Sequence, residues 1–116
     1  MDYSYAELQA RAIRESQEYK TYHALKEIVR ADETQDALIR EYKKLQIAIQ
    51  MSIVSDQKAS QEDMQRFMGL STLLFSKPEV KDYLQAEMEL QMAVGNIMKI
   101  ISQAADLDIE LPGVGR

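Results

Sequence analysis

Hydrophobic positions along this chain recur at helical spacing almost throughout. Ala6, Leu8, Ala12 and Ile13 open the pattern, and Ser4 followed three residues later by Glu7 reads as a capping box at its start. Ser16 is a candidate cap for a second segment, and the pattern leaves open whether residues 5–31 form one helix or two. Asp32 with Gln35 is another box-like start. Leu38, Tyr42, Leu45, Ile49 and Ile53 then form a stripe on a helix of about five turns. The polar stretch "SDQKASQED" breaks the period and reads as a loop. Ser60 with Asp63 restarts a helix in which Met64, Phe67, Met68, Ser71, Leu74 and Phe75 share a face. Pro78 suits the first turn of a last helix over about 79–104, since its missing N–H costs nothing there. That helix is apolar on more than one side (Tyr83, Leu84, Met88, Leu90, Met92, Val94, Ile97, Met98), which predicts burial by more than one neighbour.

Breakers are few: of four glycines and two prolines, two glycines and one proline lie in the last five residues. The expectation is therefore all-α, an antiparallel helical bundle or hairpin with a long C-terminal helix, oligomerising through apolar helix faces. Residues 1–108 are expected to form a single helical domain, with 109–116 a flexible acidic, Gly- and Pro-containing tail. The interface residues expected from these faces are Tyr42, Ile49, Leu84, Met88 and Met92.

Composition sharpens this picture. The 116 residues include seven Met, two Phe and no Trp, which predicts an aliphatic, Met-rich and adaptable core. A net charge of −5 disfavours direct nucleic-acid binding and docking on anionic membranes. With no Cys, thiolate catalysis and Cys-based metal sites are absent, and a reducing, cytoplasmic setting is expected. No apolar run reaches 18 residues, and the polar start MDYSYAELQ does not resemble a signal peptide, so no membrane insertion is expected.

Candidate chemistry is sparse. "RESQEYKTYHALKEIV" carries Tyr19, Tyr22 and His23 at i, i+3 and i+4, beside Glu15, Glu18 and Glu27. A His general base is one reading; the continuing core pattern of Ala24, Leu25, Ile28 and Val29 favours amphipathic packing. A single His cannot form a two-His metal motif. Glu87 and Glu89 point to different helix faces and make a poor acid–base pair, and Glu87 reads as a rim residue or as a partner for a cation. Arg40, Lys43 and Lys44 could touch phosphate, but Asp36 and Glu41 dilute them into a solvated face. No catalytic residue, metal ligand or cofactor-binding residue is expected, and no enzyme.

Taken in order, "ARAIRESQEYKTY", "LIREYKKLQIAIQ", "SKPEVKDYLQAEMEL" and "IMKIISQAADL" resemble the YlbF/YmcA family of bacterial regulators over about residues 4–108. The resemblance implies a small, self-associating, non-enzymatic helical protein that acts by protein–protein interaction. Its partners would be further copies of itself, other family members and a complex directing ribonuclease Y in mRNA processing, with effects on competence, sporulation and biofilm formation. Some family complexes carry iron–sulfur clusters on cysteine ligands; this chain has no Cys and supplies none. The alternative is a self-assembling structural or chaperone-like helical protein with no regulatory partner.

Overall fold

The computed structural model describes residues 1–108, so the expected tail at 109–116 lies outside the described residues. Five helices follow one another: α1 (Ser4–Glu15), α2 (Gln17–Val29), α3 (Glu33–Val54), α4 (Gln61–Phe75) and α5 (Pro78–Ala104). No strand occurs among the described residues, and the all-α expectation holds. The chain divides into two compact units. One comprises Met1–Leu25 and the chain from Tyr83 onward; the other is Lys26–Asp82.

In the Met1–Leu25/Tyr83 unit the first 29 residues prove to be two helices, and Ser16 is the reason. Its backbone is extended (ψ 152°), which ends α1. Its hydroxyl donates back to the Ile13 carbonyl. The same oxygen accepts from the Tyr19 N–H at 3.2 Å and so caps α2. The Ser4/Glu7 capping box does not form. Ser4 is already the first helical residue, and Tyr3 at the cap position makes no side-chain cap. The Asp2 carboxylate, one residue further upstream, takes the Ser4 N–H at 2.9 Å instead. That bond to the Ser4 N–H holds the Asp2 carboxyl below its ordinary range. The buried residues of this unit are Tyr83, Leu84, Ala86, Gly95 and Ser102, all on α5, while α1 buries none.

In the Lys26–Asp82 unit α3 and α4 form a hairpin. Gln35 is bonded to Lys77, and Glu41 to Arg66, so partners descend along α4 as α3 ascends: the pair is antiparallel. Tyr42 stacks on Phe67 (centroids 5.0 Å) and meets Phe75 edge-on at 6.2 Å. Burial raises the Tyr42 pKa, offset in part by its hydrogen bond with Ser71. The fully buried aliphatics are Val29, Ile39, Leu74 and Val80, with Leu70 close behind. Ile39, absent from the expected α3 stripe, is therefore a core residue, whereas Ile53 at the stripe's end is 72% exposed. The expected α4 face is rotated: Leu70 is inside and Met68 is outside.

The corner between α2 and α3 is held by polar groups. Asp32 caps α3 through the Gln35 N–H at 2.9 Å. The Gln35 side chain does not close a capping box. It donates to the Val29 carbonyl at 2.8 Å, at the end of α2. Asp36 accepts from Arg40 at 2.7 Å and from Arg30. α4 begins at the Ser60 cap, whose hydroxyl takes the Asp63 N–H at 3.1 Å, and Pro78 opens α5 as expected.

Two predictions follow from this geometry. Arg40 first and Arg30 second hold the Asp36 carboxyl below its ordinary pKa. A depressed folded-state pKa means that the stabilisation is present above the unfolded value of about 4 and is lost as pH falls through the lower folded value. Urea unfolding of Asp36→Asn is expected to show a deficit against the parent at pH 7 that closes below about pH 4; a deficit constant from pH 7 to 2 refutes the pairing. Gly69 lies within α4, and a Cβ there meets nothing within 4 Å. Gly69→Ala is expected to stabilise the fold by about 1 kcal/mol, read from the urea midpoint.

Candidate interaction surface

The tyrosine–histidine cluster is a packed helical turn. Tyr19 and His23 stack along α2 at 5.5 Å, and His23 is exposed. Tyr22 stacks on the fully buried Tyr83 at 5.8 Å. The Tyr83 hydroxyl donates to Glu87 at 3.3 Å, so Glu87 is a half-buried rim residue with a tyrosine partner. Arg40, on the basic run, is engaged by Asp36, and the neighbouring Glu41 by Arg66. Among the described residues no group of three or more His, Asp or Glu is placed to hold a metal ion. A groove of about 200 Å³ runs between α1 and α5, lined by Gln9, Ala12, Ile13 and Ser16, by Glu18 at the start of α2, and by Leu90, Ala93, Val94 and Ile97 of α5. That is below the roughly 300–1,000 Å³ of ligand pockets.

What the surface does offer is apolar. All seven methionines are exposed, from Met64 and Met98 at 39% to Met68 at 63% and the terminal Met1 at 105%. The expectation of a Met-rich core is thus corrected: the core is built of Val, Ile, Leu, Tyr and Ala, and the methionines lie outside it. The reason is helical phase. On α5, Leu90, Ala93, Val94 and Ile97 line the groove with α1. At about 100° per residue, Met88 and Met92 fall roughly 170° away, on the opposite face. They are 55% and 52% exposed. Long apolar patches left open on a small domain mark interaction sites, and Met suits them because its flexible thioether adapts to different partners.

The five expected interface residues are distributed between surface and interior. Met88 and Met92 lie on the open face of α5, and Ile49 is half-buried. Tyr42 and Leu84 are buried. A second open stripe was missed: Ile47, Met51 and Val54 on α3, 61%, 62% and 81% exposed. Their i, i+4, i+7 spacing places them about 150° from Tyr42, away from the α4 seam. That spacing is visible in the sequence, but the neighbouring Leu45–Ile49–Ile53 stripe satisfies the same period and drew the assignment.

Comparison with known proteins bears on what such a surface serves. The family described as "Control of competence regulator ComK, YlbF/YmcA" matches residues 3–105, nearly all of the described chain. The chain belongs to the YlbF/YmcA family. Among its relatives are UPF0342 proteins of Symbiobacterium thermophilum (31% identical over 107 residues, 92% of this chain and 96% of the relative) and of Desulfitobacterium hafniense (32% over 102 residues, 88% and 82%). A third, from Caldicellulosiruptor saccharolyticus, is 30% identical over 105 residues, 90% of this chain and 88% of its own length. By its description the YlbF/YmcA family is one of regulators, of competence in particular. No helix among the described residues is long and apolar enough to cross a membrane.

In this YlbF/YmcA member Tyr83 anchors the α2–α5 packing with its ring rather than its hydroxyl. Tyr83→Ala is expected to cost about 3–5 kcal/mol and Tyr83→Phe under about 1 kcal/mol in chemical denaturation. Equal losses for the two would shift the weight to the Glu87 hydrogen bond.

Proposed function

We propose that this protein is a non-enzymatic adaptor that regulates by protein–protein interaction, presenting the Met88/Met92 face of α5 to an apolar helix of its partner. One observation carries this reading: α5 is apolar on two opposite faces, and only one of them is met by α1. An amphipathic helix laid along Met88 and Met92 is the helix-in-groove mode of recognition. Membership of a regulator family supports it. The regulated process proposed is ribonuclease-dependent mRNA processing, with developmental outcomes such as competence, sporulation and biofilm formation. The partners proposed are other family members and the ribonuclease complex.

The test is a pull-down of the tagged chain from its native host at near-physiological salt, read by mass spectrometry, beside a Met88→Glu/Met92→Glu variant. Both positions are exposed, so the variant is expected to keep its helicity and lose at least about 90% of the ribonuclease-associated proteins the parent recovers, the scale of a central contact. Equal recovery by both proteins removes the α5 face from the mechanism. Recovery of the chain alone by the parent turns the reading to the self-assembling alternative.

A further inference from the structure

The chain contains no cysteine, so its sulfur chemistry belongs to methionine alone. Each of its seven methionines is at least 39% exposed. The fully buried side chains, Tyr83, Ile39, Leu74, Val29 and Val80, carry no sulfur. An oxidant that attacks thioethers therefore meets the surface of this protein and not its core.

Met88 and Met92 are set apart from the other methionines by what surrounds them. They lie one turn apart on α5, with Cβ atoms about 6 Å from each other. In line with them, Leu84 and Gly95 are buried. At about 100° per residue, Gln85 and Asn96 flank the pair on one side and Gln91 on the other, and these amides are exposed. The exposed apolar surface of this face is thus supplied by two thioethers. The α3 stripe is different, because Met51 stands between exposed Ile47 and Val54, hydrocarbon side chains that peroxide leaves unchanged. On α4, Met64 and Met68 share their side of the helix with Phe75, itself 38% exposed.

We propose that Met88 and Met92 are a reversible oxidation site, and that oxygen transfer from a peroxide to their sulfurs closes the α5 face to its partner. The proposal rests on the adaptor reading and names how that same face is regulated. In the step itself, a sulfur lone pair attacks one oxygen of hydrogen peroxide. The S–O bond forms as the O–O bond breaks, and the departing hydroxide takes the proton from the transferred oxygen to leave as water. Sulfur is oxidised by two electrons and the peroxide is reduced by two. Methionine sulfoxide reductases reverse the change with electrons from two thiols, which become a disulfide as the oxygen leaves as water.

The sulfoxide oxygen is a hydrogen-bond acceptor where the thioether was apolar. In the free protein water satisfies it, since both positions are more than half exposed. An apolar helix laid over the face would strip that water and offer no donor, and an unsatisfied acceptor is costly to bury. Oxidation is therefore felt in binding and not in folding.

The tagged full-length chain is treated with hydrogen peroxide, oxygen uptake at each methionine is followed by peptide mass spectrometry, and the pull-down is repeated. Met88→Leu/Met92→Leu keeps the face apolar and cannot be oxidised there; Met64→Leu/Met68→Leu is the control. The oxidised parent is expected to keep its helicity and urea midpoint and to recover at least about tenfold less of the proteins that the reduced parent recovers. The α5 variant is expected to recover the same proteins within about twofold before and after peroxide, and the α4 variant to lose them as the parent does. Reductases for both sulfoxide epimers are expected to restore the oxidised parent. Unchanged recovery after oxidation overturns the switch alone and leaves the adaptor reading standing. The switch is also overturned by equal loss in the α5 variant, by protection in the α4 variant, by loss of helicity on oxidation, or by a loss the reductases do not reverse. A reduced parent that recovers no partner removes the adaptor reading and the switch with it.

Discussion

The Gln35 side chain lies buried where the chain leaves α2 and enters α3, and both of its polar ends are occupied. Its amide nitrogen donates to the Val29 carbonyl at 2.8 Å, and its oxygen accepts from Lys77 at 3.5 Å, one residue before α5 begins. Its own backbone N–H is held by the Asp32 cap. One residue thus ties the end of α2, the start of α3 and the approach to α5 inside the Lys26–Asp82 unit. A buried amide is costly unless satisfied, and an unsatisfied helix-end carbonyl is costly too. Each cancels the other here, and no buried side-chain nitrogen or oxygen among the described residues lacks a partner. With the corner set, Ile39 and Tyr42 face α4, and the α3–α4 register is confirmed on the surface by the Glu41–Arg66 pair.

A small core follows from that arrangement. Its members are few and mostly aliphatic, and the helices that supply them are apolar on a second face as well. Each turns one face inward, and the methionines of α5 and the Ile47–Met51–Val54 stripe of α3 are exposed. Exposed apolar surface of this kind is what the proposed adaptor role draws on.

Both long helices end in the same way. Asp56 and Asp106 each adopt positive φ (58° and 55°) and close a Schellman cap, with Gln57 donating to the Ser52 carbonyl after α3 and Leu107 to the Ser102 carbonyl after α5. Aspartate tolerates this conformation less well than glycine and places a negative charge at the negative end of the helix dipole. On α5 that charge sits beside exposed Leu107, where it also gives the helix end its acidic character.

Much of this was legible in the chain itself. Helical periodicity, the scarcity of Gly and Pro, the Asp32 and Ser60 caps and Pro78 at a helix start are local properties, and the sequence determined the all-α class and the start of three helices. It also carried the family through the order of its four segments. What it did not determine is which of two apolar faces turns inward. Leu70 against Met68 and Leu90 against Met88 differ by the phase of a helix about its axis, and both phases satisfy the same period. That choice is made by tertiary contacts: by Gln35 reaching the Val29 carbonyl, by Tyr42 stacking on Phe67, and by α1 lying along Leu90 and Val94. Only the folded structure could therefore show that the methionines lie outside the core, because burial is a property of neighbours and not of the residue alone.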